Sequence, residues 1–465
     1  MAISAIGLHL LPVELQQAIF FQLHRTDDIS AAALTCRSLL LAFLDAKSLI
    51  ENKVLRNEIR RDVLPEALAV LNSARMLRQS QRSVSSIQEF LEENFTFRIE
   101  PHGQLASADV YALSRLNDLI TRIARRYIAC VLKESPGGQE DVGRRPSKDE
   151  VARVHRAFYR FELWCNLFRT HKTNETILEP DQQREVFFDR FSPWENEQLA
   201  CINDYLARAI LPAFNDVAEH DIDWGAVRVD YGDDISTGFI QYALSMGLVK
   251  IHQIITAQTF EARRKLLRSD DKIYPNFNLE FLFDCLEHAS RNGLNHTPLQ
   301  RYTTEDNATH LRKPFFDDPD SGPESCWRWA HAEDYVVNFV NSPWRISLRK
   351  WGYVMWDRAT LDSWKVLQTR WDAPSMSERR AATELRAKLR AEQEFSFRRR
   401  YDIQRAGGSG WWSVGDESKV TWPYRRTRKP QVVEKKPESL ADAKRAILSI
   451  KLPTTIPRAK NQNGV

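Results

Sequence analysis

The closest approach to a metal-ligand spacing is Cys285 with His288, followed downstream by His296 and His310. Sulfur and imidazole suit zinc, but structural zinc sites pair their ligands at both ends of the motif, and only one end is paired here. A core cysteine beside surface histidines is the competing reading, because free cysteine is among the most buried residue types. The doublets Asp233-Asp234, Asp270-Asp271 and Asp317-Asp318 offer paired carboxylates for acid/base work. Aspartate also favours turns and caps, and the doublets are assigned that role. P-loop, GxGxxG, nucleophile-elbow, kinase catalytic-loop and HExxH spacings are all missing, so the mechanisms tied to them have no support. The reading therefore contains no catalytic residue, no metal ligand and no cofactor.

Ten of the thirteen tryptophans fall between Trp327 and Trp422. Trp344, Leu348, Trp351 and Met355 lie on one helical stripe, and Leu361, Trp364, Gln368 and Trp371 on another. Large aromatics at steps of three and four usually pack a core. With Arg345, Arg349 and Lys350 beside them they also have the composition of a binding hot spot. Trp356-Asp357 and Trp371-Asp372 are spaced far more closely than the ~40 residues of a propeller blade. The run Arg425, Arg426, Arg428 and Lys429 reads as a nuclear-import signal, an anion-binding tail or simply solvated charge.

Which elements must position these groups? A chain of 465 residues has room for roughly three domains, or one small and one large. With 43% hydrophobic and 28% charged residues it has the composition of a soluble globular protein. No stretch of about eighteen uncharged apolar residues predicts a membrane span. MAISAIGLHLL has no preceding basic residue and runs into Pro12 and Glu14, so it does not read as a signal peptide. Six scattered cysteines predict reduced thiols and an intracellular chain, in cytoplasm, nucleus or both.

The net charge of +4 is unevenly placed. Residues 419–465 hold twelve Lys/Arg against Glu434, Glu438 and Asp442, a balance of +9 that leaves −5 elsewhere. Five prolines accompany that charge, which predicts a disordered basic tail over 406–465, bounded by Gly407, Gly408 and Gly410. Upstream the apolar spacing is helical almost throughout, and the predicted fold class is all-α. Leu199, Ile202, Leu206, Ile210 and Phe214 make one stripe behind a capping box at Ser192-Pro193-Trp194-Glu195. A second Ser-Pro-Trp at Ser342 predicts another helix start. Ser377 to Arg400, with Glu384/Lys388 and Glu394/Arg398 pairs, predicts a long exposed helix. Loops are expected at Ser135 to Ser147 and at Asn292 to Glu324.

The most informative segment is LPVELQQAIFFQLHRTDDISAAALTCRSLLLAFL, Leu11 to Leu44, read as two amphipathic helices joined by a short polar turn. Leu11, Leu15, Ile19 and Leu23 recur every four residues; the second helix presents Ile29, Ala33, Cys36, Leu40 and Leu44. Pro12 suits a first turn, and Thr26, Asp27 and Asp28 stop one helix and cap the next. A piece of about forty residues lies near the lower limit for independent stability and must bury apolar surface against something.

The order Leu-Pro, Glu-Leu, Ile-Phe, Leu, Asp-Ile, Leu, Cys-Arg and Leu resembles an F-box over about 35 residues. One departure is the tryptophan often found after the Cys-Arg pair, whose place falls near Leu39 or Leu40; fungal versions commonly read TCRSL here. YRFELWCNLF, RFSPWENEQL and KWGYVMWDRATLD extend the resemblance to filamentous-fungal F-box proteins and bring no substrate with them. The resemblance implies an F-box over residues 1–50, a helical, substrate-binding domain over 51–405, and the basic tail. It implies docking to a Skp-type adaptor, and through it to a cullin-RING ubiquitin ligase, with an unknown protein substrate. Leu11, Pro12, Leu15, Ile19, Leu23, Leu34 and Cys36 would form or support the adaptor-facing surface. The chain would be a non-catalytic subunit. The alternative is a non-ligase F-box scaffold, or a nucleic-acid binder acting through its basic tail.

Overall fold

The computed structural model describes residues 7–78, 83–95, 103–138, 143–169, 178–233, 235, 237–268, 282, 285, 297–335 and 345–423. Among them the chain is all-α, with nineteen α-helices and a single two-stranded hairpin. Helices α1 (Val13–Phe21), α2 (Thr26–Ala33), α3 (Arg37–Asp45) and α4 (Lys47–Glu58) form an N-terminal module preceded by a 3-10 turn at Leu8–Leu10. Its small core is Phe20, Ile29, Ala33, Leu39, Ile50 and Val54. A second, far larger core follows. Its helices include α5 (Leu64–Arg78), α6 (Val84–Phe95), α7 (Ser107–Lys133), α8 (Lys148–Phe168), α9 (Pro180–Val186) and α10 (Pro193–His220). The short α11 (Ile222–Ala226), α12 (Gly238–Ser245), α13 (Leu248–Thr256) and α14 (Phe260–Leu267) come next, then α15 (Thr304–His310), α16 (Gly322–Ala330), α17 (Ile346–Lys350), α18 (Arg358–Ser363) and the long α19 (Met376–Arg405).

The N-terminal segment has three helices where the spacing predicts two. The Thr35 hydroxyl donates to the Ala32 carbonyl at 2.7 Å, and Cys36 is extended with φ −156°, which closes α2 and lets α3 start afresh. The break resets the helical phase, so Leu39 and Ala42 turn inward while Leu44, expected on one stripe with Ile29 and Ala33, is exposed. Arg25, not Thr26, is the N-cap of α2; Asp27 and Asp28 complement the positive end of its dipole.

The boundary expected at residue 50 falls inside α4, whose Ile50 and Val54 belong to the small core and Leu55 to the large one. At its end the Glu58 carboxylate accepts from the Thr26 N–H at 3.1 Å, the Ser114 hydroxyl at 2.9 Å and Asn117 Nδ2 at 3.3 Å. Asn57 Nδ2 donates to the carbonyls of Phe21 and Leu23, both at 2.8 Å. One helix thereby fixes the module's orientation on α7.

In the large core α8 packs on α5, α7 and α10. Both α8 and α10 start on capping boxes: Ser147 N–H donates to Glu150 at 2.8 Å, and Ser192 N–H to Glu195 at 2.9 Å, with Pro193 in the first turn. The predicted stripe Leu199, Ile202, Leu206, Ile210 and Phe214 is fully buried. The opposite face of α10 is buried too, because α17 covers it with a charged side chain. Arg349 donates to both oxygens of Glu197 at 3.0 Å and lies 3.5 Å from Asp204. Arg160 joins Glu66 and Glu195 at 3.2 Å each, and Arg153 joins Asp318 at 2.6 and 2.8 Å and Asp357 at 2.6 Å.

Three expectations about the C-terminal third need correction. Trp351 to Trp356 is not part of a helical stripe: α17 ends at Lys350, and the six residues run through consecutive turns, all buried. Burial on every side rather than on one face leaves no periodicity to read; Trp344 and the second Ser-Pro-Trp lie outside the described residues. The second stripe is likewise broken, at Lys365, which sits in the left-handed region at φ 57° between α18 and the turn at Val366–Gln368. The tail expected to be disordered from residue 406 folds as far as residue 423. Strands β1 (Ser409–Gly410) and β2 (Val420–Thr421) pair antiparallel, and Trp412 and Val420 pack with Ile222 and Ile403. Trp412 N–H donates to the His220 carbonyl at 2.9 Å, tying the hairpin to the end of α10. The long α19 starts at the Ser375 capping box as a solvent helix, but Phe397, Arg400 and Ile403 are buried against α11. Gly225 permits that approach, since a Cβ there would strike the Arg400 guanidinium.

Candidate functional site

The hydrophobic side chains left in water are concentrated on the N-terminal module. Among the described residues seventeen large hydrophobics are exposed, and eight lie between Leu8 and Leu49: Leu8, Leu10, Val13, Leu15, Leu34, Leu41, Leu44 and Leu49. Leu34 is 78% exposed, Leu10 66% and Leu15 52%. Exposed apolar side chains gathered on one module are the first place to seek an interaction surface.

Local structure explains why these side chains face outward. Phe20 takes the inward position of α1, against Phe43 of α3 with ring centroids 5.8 Å apart. Gln16, buried in the same helix, donates from Nε2 to the carbonyls of Leu8 at 3.3 Å and Leu11 at 2.9 Å. That bond holds the Leu8–Leu10 turn beside α1. Gln17 Nε2 reaches the Ala42 carbonyl at 3.3 Å and Asp45 Oδ2 at 3.0 Å, joining α1 to α3. The polar glutamines thus occupy the positions between helices and the leucines remain outside.

Of the seven residues singled out from the sequence, none is buried: Pro12, Leu15 and Leu34 are exposed and Leu11, Ile19, Leu23 and Cys36 half-buried. Leu23 and Cys36 also touch the small core, so they support the surface as much as they present it. The hydroxyl of Ser38, 3.2 Å from Cys36 Sγ, holds that thiol below its ordinary value. Sequence reasoning did not single out Leu8, Leu10, Val13, Leu41 and Leu49, and it put Leu44 on one stripe with Ile29 and Ala33, which are buried; the only signal was a density of leucine beyond what one buried stripe requires. Arg425, Arg426, Arg428 and Lys429 lie outside the described residues.

Several described groups with catalytic chemistry lie elsewhere and are engaged in packing. Cys201 sits in the large core near Glu197, Asp204 and Arg349, and burial pushes its thiol well up, which suppresses the nucleophilic thiolate. Burial followed by the nearby Arg345 holds His331 down at about 4, with Asp334 Oδ2 2.7 Å from its Nδ1. Burial works against the Asp318 carboxylate too, yet the two bonds from Arg153 outweigh it and hold its pKa below the usual range. Asp318 is therefore an ion-pair anchor and not simply the turn residue expected. Cys285 is buried and donates to Gln183 Oε1 at 3.2 Å; His288 and His296 lie outside the described residues. Among the described residues no three His, Cys, Asp or Glu side chains are grouped to hold a metal, and no helix is long and apolar enough to cross a membrane.

Comparison with family models, with curated proteins and with solved structures finds no match for the chain.

Proposed function

We propose that this chain is the substrate-receptor subunit of a Skp-cullin-F-box ubiquitin ligase. The observation that carries the reading is the agreement between motif and exposure. The residues that the F-box-like order assigns to the adaptor, Leu15 and Leu34 above all, are left in water, while Phe20, Ile29 and Leu39 between them close a core. The exposed leucines of the module dock to the Skp-type adaptor, which joins a cullin. The helical domain, held at a set angle by α4, presents an unknown protein substrate to charged ubiquitin. In this scheme the chain supplies no reacting group; it accelerates transfer by raising the local concentration and fixing the orientation of the reactants.

Affinity purification of the full chain from native extract tests the proposal. Adaptor and cullin recovered together, and both lost with Leu15→Asp, is the expected result. Adaptor without cullin would replace the ligase with a non-ligase scaffold. Recovery of neither would refute the reading.

A further inference from the structure

A groove of about 450 Å³ opens between α7, α8 and residues 143–147, away from the N-terminal leucines. This volume lies within the ~300–1,000 Å³ range of small-molecule sites. Ile128 and Leu132 of α7 with Val151 of α8 and Pro146 give it apolar walls. Its charged lining is of one sign: Arg125 and Lys133, both exposed, and Arg144, with no aspartate or glutamate among the lining residues. Arg144 is immobilised, donating to both oxygens of Glu150 at 2.9 and 3.0 Å and lying over the rings of Trp356 and Trp364. Because Glu150 compensates Arg144, the uncompensated charge comes from Arg125 and Lys133, which form no ion pair among the described residues. His155 lines the same groove, and burial, then Arg125 and Arg60, hold it down at about 4, so it stays neutral.

We propose that this groove binds a small organic anion, a carboxylate carried on a hydrocarbon body. The apolar walls take the body, and Arg125 and Lys133 take the head, the usual division between contacts that bury and contacts that orient. The chain's own C-terminal segment cannot be the occupant by charge, since residues 424–465 carry eleven Lys/Arg against three acidic residues.

The test is isothermal titration of the full chain with decanoate, with decyltrimethylammonium and with inorganic phosphate. Decanoate is expected to saturate at one per chain, the alkylammonium not to bind, and phosphate to bind about tenfold more weakly or worse. Arg125→Ala with Lys133→Ala should weaken decanoate by about tenfold or more. Ala129→Trp, which enlarges an exposed side chain into the groove, should abolish it with the thermal transition unchanged. Leu34→Asp should leave decanoate binding intact, separating this site from the N-terminal face. Equal binding of the alkylammonium would reduce the site to apolar adhesion, and phosphate as tight as decanoate would reduce it to charge. Either result, an absence of saturable heat, or indifference to both groove variants would overturn the proposal.

Discussion

Replacing Leu15 and Leu34 together by Asp should separate binding from folding, because the two side chains are held by little in the free chain. Leu34 keeps 78% and Leu15 52% of its surface in water, so what remains to be buried by a partner is a little more than one whole leucine. At about 1.5–3 kcal/mol per fully buried leucine, losing that burial costs roughly 2–4 kcal/mol of association. The adaptor affinity should fall about 30-fold to 1,000-fold, and further where a carboxylate is forced into the contact. Phe20→Ala is the contrasting perturbation: its ring is fully buried in a core of six side chains, and emptying it should cost about 3–5 kcal/mol of stability. Calorimetric titration against a purified Skp-type adaptor, run beside thermal unfolding, reads both quantities. The double Asp variant should melt with the parent and fail to bind, whereas Phe20→Ala should melt early. If the Asp variant binds normally, or melts as early as Phe20→Ala, these leucines are not a free docking face and the reasoning fails.

Truncation after Pro423 should leave unfolding unchanged, whereas truncation after Gly410 should cost about 3–5 kcal/mol because it removes buried Trp412 and Val420 from Ile222 and Ile403; equal melting of the two truncations would show that the hairpin does not pack. Arg349→Met should destabilise the protein by about 3–5 kcal/mol, since it leaves Glu197 buried without its partner. Burial pushes Glu197 up, and without Arg349 to oppose it the folded chain holds a proton that the unfolded chain has released above about pH 4.3. The deficit should therefore grow from pH 5 to pH 8 in urea unfolding, and a deficit independent of pH would exclude Glu197 as its source.

Features governed by neighbours in sequence were legible, and those governed by distant partners were not. The SPWE cap, the Leu199 to Phe214 stripe and the helix expected over Ser377 to Arg400 follow from spacings of three and four, which local hydrogen bonds enforce. The buried arginines do not: Arg349 is 152 residues from Glu197, and Arg153 is 165 from Asp318. Charge in a sequence reads as surface, because only a partner brought by the fold can offset the desolvation of an ion. The hairpin at residues 409–423 was hidden for a related reason. Gly407, Gly408, Ser409 and Gly410 open it as a flexible stretch, and Trp412 becomes a core residue only once α10 and α11 have placed His220 and Ile222 beside it.

The N-terminal module shows why motif and exposure together carry more than either alone. Periodicity predicts that Leu11, Leu15, Ile19 and Leu23 are buried somewhere, but it cannot distinguish burial in the module's own core from burial in a second chain. Folding makes the distinction by sending Phe20 inward and leaving Leu15 out, so one helix serves two apolar faces. A core of six side chains beside eight exposed ones is a poor arrangement for a module that stands alone, since folding leaves much of the exposed leucines' apolar surface in water. They are retained at the cost of exposed apolar surface, which is explicable if a partner covers them. The bonds that Asn57 makes to the end of α1 and that Glu58 accepts from both Thr26 of the module and Ser114 and Asn117 of α7 then have a definite use. They hold the module at a set orientation to the helical domain without requiring the exposed leucines to turn inward.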